Sequence, residues 1–154
     1  MSTSFSVTTH IAASPGQVFA FLADPSTAPV IDPAVVRYEP EGGTMGLGVR
    51  NRIRSRIVGI PVTLVSETVE WEPGRTMSFR SVSPATPVAA TATHRFERDP
   101  LGTTYTWSMD FRPVGRVGPV AARLAAWFFR RNAVAQQARV RAVLEAAVRL
   151  PASD

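Results

Sequence analysis

The sequence predicts an α+β fold, an antiparallel sheet with one long helix laid across it. Three observations predict it. Residues 116–150 carry apolar side chains at three- and four-residue steps, namely Val120, Leu124, Trp127, Phe128, Val134, Ala138, Leu144 and Val148. That is the helical period, over a length that needs a broad partner surface. From Val35 to Arg112 the pattern instead repeats every two residues, in six runs separated by short Pro/Gly turns. Short turns between strands imply an antiparallel meander. Finally, Tyr105, Trp107, Met109 and Phe111 alternate with Thr104, Thr106, Ser108 and Asp110, which gives the sheet an apolar face where the helix can sit.

Each element has its own signal. Phe5, Val7, Thr9 and Ile11 alternate with polar residues as a half-buried first strand. Ser14-Pro15-Gly16-Gln17 has the form of a capping box with proline at the first helical position, and Val18, Phe19, Phe21 and Leu22 make the apolar side of the short helix it opens. Asp24-Pro25 ends that helix, and Ser26 starts a second short turn that stops at Asp32-Pro33. Val35–Glu41 is a strand, followed by a turn with Gly42, Gly43, Gly46 and Gly48. This turn lacks the Lys-Ser/Thr of a phosphate loop and reads as a hairpin. In Val49–Ile57, Asn51, Ile53 and Ser55 share one face, while Arg50, Arg52, Arg54 and Arg56 form a row on the other, expected to be solvated and paired with Glu39, Glu41 or Glu67, with attraction of anionic lipid or nucleic acid as the alternative. Val62–Trp71, a strand with Met77 and Phe79, Val88–Arg98 and Thr103–Arg112 complete the sheet, with turns at Glu72–Arg75 and Asp99–Gly102. In Val62–Trp71 both alternation sets contain apolar members, so the inward face stays open. Gly115, Gly118 and Pro119 introduce the long helix, and Pro151 closes it.

The 154 residues suffice for one domain, residues 1–154, that buries roughly 70% of its unfolded surface. Cysteine is absent and there are two histidines, which excludes a disulfide framework and a thiol nucleophile and leaves no metal site to expect. No signal-like N-terminus or membrane-length apolar run is visible, so a cytoplasmic location is expected. The net charge is +5, and every basic side chain other than histidine is arginine. The arginines are scattered rather than gathered with aromatics, so nucleic acid is not the expected partner.

Four stretches in order resemble the START-like, or Bet v 1-like, superfamily, in particular its bacterial polyketide cyclase/dehydrase-type proteins. These are Ile11–Phe19, the glycine-rich Glu41–Arg50, Val69–Phe79 with its Glu-Pro-Gly-Arg turn, and Phe96–Thr103. The resemblance covers essentially the whole chain. It implies a helix-grip, a curved antiparallel sheet wrapped around the C-terminal helix with a cavity between. It says less about chemistry, because members of one fold differ in function. Many members carry a tryptophan near the cavity mouth; here that place is held by Ile31, with Asp32 beside it.

An apolar cavity with a few polar groups is expected to be lined by Thr9, Asn51, Ile53, Ser55, Met77, Phe79, His94, Phe96, Tyr105 and Trp107 from the strands, by Ile31 and Asp32 at the mouth, and by Leu124 and Phe128 from the helix. Arg131 either reaches the cavity as an anion clamp or snorkels to water. His94 is either an acid/base group or a histidine satisfied by one core hydrogen bond. Tyr105 and Asn51 either hold a ligand oxygen or bond within the structure. No nucleophile–base–orienter series is visible.

The first expected function is binding of a hydrophobic small molecule such as a lipid, polyketide or isoprenoid, with no cofactor, by a monomer or homodimer. The alternative is a cyclase or aromatase acting through His94, Tyr105 and Asn51, with orientation supplying most of the rate. A protein-interaction module, marked by a filled core and a large exposed apolar patch, is the third.

Overall fold

The computed structural model describes residues 3–57, 59–82 and 88–149. The strands are β1 (Thr3–Ile11), β2 (Val35–Pro40), β3 (Arg50–Ile57), β4 (Ile60–Glu72), β5 (Thr76–Ser81), β6 (Val88–Asp99) and β7 (Gly102–Pro113). They form one sheet in the order β1-β7-β6-β5-β4-β3-β2. Every neighbouring pair is antiparallel. The six later strands follow one another as hairpins, as short turns require. β1 adds beyond β7, so the chain must pass from one sheet edge to the other before β2. The segment that makes this passage holds α1 (Pro15–Leu22), a 3-10 turn (Pro25–Thr27) and α2 (Ala28–Ile31).

Local chemistry fixes these pieces. At α1 the Ser14 hydroxyl accepts from the Gln17 N–H at 3.2 Å and the Gln17 side chain accepts from the Ser14 N–H at 2.9 Å, a complete capping box. Asp24 caps the 3-10 turn by accepting from the Ser26 N–H at 3.0 Å. In the β6–β7 turn Gly102 has φ 140°, and a Cβ there would lie 2.5 Å from the Ile11 carbonyl oxygen. Only glycine lets this hairpin close against the end of β1. Thr103 secures the same corner, donating to the Ala13 carbonyl at 2.6 Å.

The inward face of β4 also has a definite answer. Val62, Leu64, Ser66 and Thr68 stand opposite Ser55, Ile53, Asn51 and Phe79, on the inner face. Between Thr68 and Glu70 the register shifts, and Trp71 then pairs with Met77 on that same face. One extra residue reverses the alternation, which is why both phases contain apolar side chains.

The long helix, α3 (Gly118–Arg149), packs mainly on β1 and β7. Leu150 and Pro151, where the sequence expects its end, lie outside the described residues. Its buried face differs from the expected one. Ala122, Ala126, Ala133, Val140 and Leu144 are buried, together with Gln136 and Gln137, whereas Val120, Leu124, Trp127, Val134 and Val148 are exposed. Alanines let the helix approach the sheet closely, and the glutamines bond there. Gln137 donates to the Val7 carbonyl at 2.6 Å, satisfying an acceptor on the edge strand. Gln136 donates to Asp32 at 2.9 Å.

Arg50, Arg52, Arg54 and Arg56 do face solvent. The expected ion pairs go elsewhere: Glu39 pairs with Arg37, and Glu67 with Arg80. Each of these arginines stands within one strand or directly across from its carboxylate.

Candidate functional site: an apolar cavity under the long helix

A cavity of about 550 Å³ lies between the inner sheet face and the first half of α3. Its size follows from residue volumes. Along β6 the inward positions run Ala90, Ala92, His94 and Phe96, from small to large. Above the alanines α3 contributes Ala121 and Ala125, also small, with Phe129 one turn further on. Small side chains on both layers leave space that neither layer fills. The walls are completed chiefly by Ile53, Leu64, Met77, Phe79, Met109 and Phe111 from the sheet and by Leu22 and Met45 from the preceding segments. Polar groups on the wall are few: Tyr38, Ser66, Ser81, His94 and the indole of Trp107.

Beyond His94 the same face is closed. Phe96 packs parallel to Tyr105 at 5.3 Å between ring centres, Phe19 meets Phe96 edge-on at 5.6 Å, and Trp71 meets Phe19 at 5.0 Å. His94 is the link between the two regions. Its ring lies nearly parallel to those of Tyr105 and Trp107, at 5.9 and 5.5 Å. Its Nδ1 is 2.6 Å from the Tyr105 hydroxyl. Burial lowers the imidazole pKa to about 4 and pushes the Tyr105 phenol well above its ordinary range. Both groups are therefore neutral near pH 7. A phenol must place its proton somewhere, and donation to Nδ1 leaves the imidazole proton on Nε2. Burial also raises the Tyr38 phenol. The Trp107 N–H is buried without a hydrogen-bond partner among the described residues.

Of the sequence-derived candidates, Ile53, Met77, Phe79, His94 and Trp107 stand on this wall. Tyr105 lies one layer behind, 2% exposed, and reaches the cavity only through His94. Phe96 belongs to the closed aromatic region. Asn51 is fully buried, but its amide donates to Thr68 at 3.2 Å and it is not on the cavity wall. Ser55 is buried away from that wall. Thr9 lines a separate groove between β1 and α3. Ile31 packs against the core. Asp32 accepts from Gln136 and from the Ala34 N–H, so it ties α2 to α3 rather than standing free at a mouth. Leu124 is 63% exposed, Phe128 packs on Phe129, and Arg131 lies over Trp127 at 5.6 Å. None of these three is on the wall. They belong to the larger apolar stripe of α3, whereas Ala121, Ala125 and Phe129, spaced by four, make the roof. Tyr38 also stands on the wall, a place the sequence does not signal because β2 offers too few inward residues for a clear alternation.

Among the described residues no group of three or more His, Asp or Glu side chains is placed to hold a metal ion. No helix there is long and apolar enough to cross a membrane.

The family described as polyketide cyclase / dehydrase and lipid transport matches residues 2–145. None of the curated proteins matches the chain. Among solved structures, the chain is similar to the Zhui aromatase/cyclase from Streptomyces sp. R1128, with 22% identity, TM-score 0.78, and 100% of this chain and 99% of that one covered. It is also similar to the di-domain ARO/CYC StfQ from the steffimycin biosynthetic pathway, with 14% identity and TM-score 0.82. There 97% of this chain covers 52% of that one, so the chain spans about half of StfQ. Ara h 8.0201 matches with 14% identity and TM-score 0.69, over 91% and 98% of the two chains. At these identities the likeness concerns the fold.

Proposed function

The chain belongs to the polyketide cyclase / dehydrase and lipid transport family, and on that premise we propose that it holds a hydrophobic small molecule, of the lipid, polyketide or isoprenoid kind, in the cavity under α3. The observation that carries this reading is the cavity itself, about 550 Å³ with a wall that is mostly aliphatic and aromatic. That is the size and character of a small-molecule site. Such a wall gains by covering apolar ligand surface, and its few polar groups orient rather than charge the ligand. His94 is neutral at pH 7, so a carboxylate finds no cation on the wall. A carbonyl or hydroxyl is the matching polar end, bonding to the imidazole Nε2–H or to the Tyr38 hydroxyl. Native mass spectrometry of freshly purified protein, with denaturing analysis of anything released, tests this. A retained mass of a few hundred daltons, or saturable quenching of Trp107 emission by added aromatic polyketides, is the expected result. An empty protein that also leaves every such probe unbound overturns it.

A second reading is favoured by one contact, the 2.6 Å pair of Tyr105 and His94. In a cyclase, the neutral imidazole polarises a carbonyl from Nε2 while the phenol behind it fixes the tautomer. The cavity wall holds the poly-carbonyl chain folded, so that orientation supplies most of the rate. Turnover that survives both His94→Ala and Tyr105→Phe removes this reading and leaves the binding function untouched.

A further inference from the structure

The face of α3 turned away from the sheet has no part in the cavity. Val120, Leu124 and Trp127 are each more than 60% exposed, and so is Val117 just before the helix. Their spacing puts them on one stripe, opposite the buried alanines. Arg131 fills the step between Trp127 and Val134, with its guanidinium 5.6 Å from the indole centre. Arg123 and Arg130 are exposed on the same helix, and Arg116 is exposed just before it. Among the described residues none of these four arginines is in an ion pair. The chain has no Asp or Glu between Asp110 and Glu145, a stretch with seven arginines.

A surface that is apolar along its centre and exclusively cationic at its borders narrows the choice of occupant. A second copy seated on this stripe by two-fold symmetry would bring arginines against arginines, with no carboxylate on either helix face to separate them. A neutral apolar partner would leave the cations uncompensated. An anionic bilayer surface satisfies both parts. Val120, Leu124 and Trp127 enter the boundary between headgroups and acyl chains, a level that indole rings prefer. The guanidinium groups meet phosphates, which they bind by paired N–H donors. We propose that α3 docks on an anionic phospholipid surface through Val120, Leu124 and Trp127, with Arg123, Arg130 and Arg131 on the headgroups. The same turns present Ala121, Ala125 and Phe129 to the cavity, so the docking element is also the cavity roof. This proposal stands independently of what the cavity holds.

Co-sedimentation of the full chain with phosphatidylcholine vesicles, with and without phosphatidylserine, is the test. Binding is expected only when phosphatidylserine is present, weakening with salt. Arg130→Gln/Arg131→Gln lowers the partition coefficient by about tenfold, and Leu124→Ser/Trp127→Ser by at least as much. Both pairs lie outside the core, so their thermal melts match that of the parent. In a Trp71→Phe/Trp107→Phe background, Trp127 emission shifts to the blue on these vesicles. The outer sheet face supplies the control, because its arginine row is a second basic surface. If Arg52→Gln/Arg54→Gln abolishes binding and the α3 variants do not, the proposal is overturned. Equal binding to vesicles without phosphatidylserine overturns it as well. So does a concentration-dependent dimer that Leu124→Ser dissolves, in a protein that ignores vesicles, and that outcome gives the stripe to a second copy.

Discussion

The inner face of the sheet has two ends built from the same strands, and they differ in one property, side-chain volume. At one end Phe19, Trp71, Phe96 and Tyr105 stack on one another and close the space. At the other Ala90 and Ala92 face Ala121 and Ala125, and about 550 Å³ stays open. β6 supplies both, and His94 is the seam between them. The fold provides a curved sheet and a helix; it does not by itself provide a cavity. Whether the grip is empty or full is decided by a handful of residue sizes, and substitutions of equal chemistry must then act unequally at the two ends.

The largest expected effect lies at the closed end. Phe96 is 4% exposed and contacts two other rings, so Phe96→Ala should cost about 3–5 kcal/mol in urea unfolding. Phe79 has the same side chain but stands on the cavity wall, half-buried. Part of its surface already lacks partners, so Phe79→Ala should cost about half as much. Equal losses at the two positions would mean that the ends do not differ in packing.

His94 sharpens the comparison through pH. Its folded-state pKa, lowered to about 4 by burial, lies below the ordinary 6.5. The unfolded chain therefore takes up this proton first. Stability from the neutral imidazole is full above about pH 6.5 and is lost as the pH falls toward 4. The loss amounts to roughly 3 kcal/mol over the window. His94→Asn should flatten the urea midpoint between pH 6.5 and 4.5, although it starts lower because the Tyr105 hydroxyl loses its partner. Asp99, held down to about 2 by hydrogen bonds from Thr104 and His10, titrates below this window and does not mask it. A parent protein whose stability is unchanged across the window would place His94 in contact with water.

Filling the open end should trade binding for little else. Ala92→Phe puts a ring into vacant space between Phe79 and Met109, its neighbours across the strands. Stability should change by less than about 1 kcal/mol, unlike the usual cost of overpacking a dense core. Affinity for a hydrophobic probe, read by Trp107 quenching, should fall by at least about tenfold, near 1.4 kcal/mol. Unchanged affinity would move the ligand out of this cavity.

The seven strands and the order of elements were legible because alternation and turn residues are local signals. The sheet's inner face was legible for the same reason at Ile53, Met77, Phe79, His94 and Trp107. What was hidden depends on contacts that the pattern does not encode. The bulge at Thr68–Glu70 reverses the phase of β4, and a pattern read at constant period shows only ambiguity. On α3 the periodic pattern points to the largest apolar side chains as the buried face, but close approach to the sheet selects Ala122, Ala126 and Ala133. That exchange removed Leu124, Phe128 and Arg131 from the cavity and left an apolar stripe outside. Asn51 has the composition of a ligand anchor, and only the strand register shows Thr68 waiting beside it.

The smallest effect tests whether the closed end is an independent support. α1 brings Val18 and Phe19 to that end and contributes only Leu22 to the cavity wall. Its start depends on the two reciprocal bonds of Ser14 and Gln17. Ser14 itself is exposed and touches no ligand space. Ser14→Ala should therefore lower stability by about 1 kcal/mol, the ordinary worth of an N-cap hydroxyl, with Trp107 quenching by a bound probe unaltered. If probe affinity falls along with the melting temperature, then fraying of α1 reaches the cavity, and the two ends share one cooperative unit instead of dividing packing from binding.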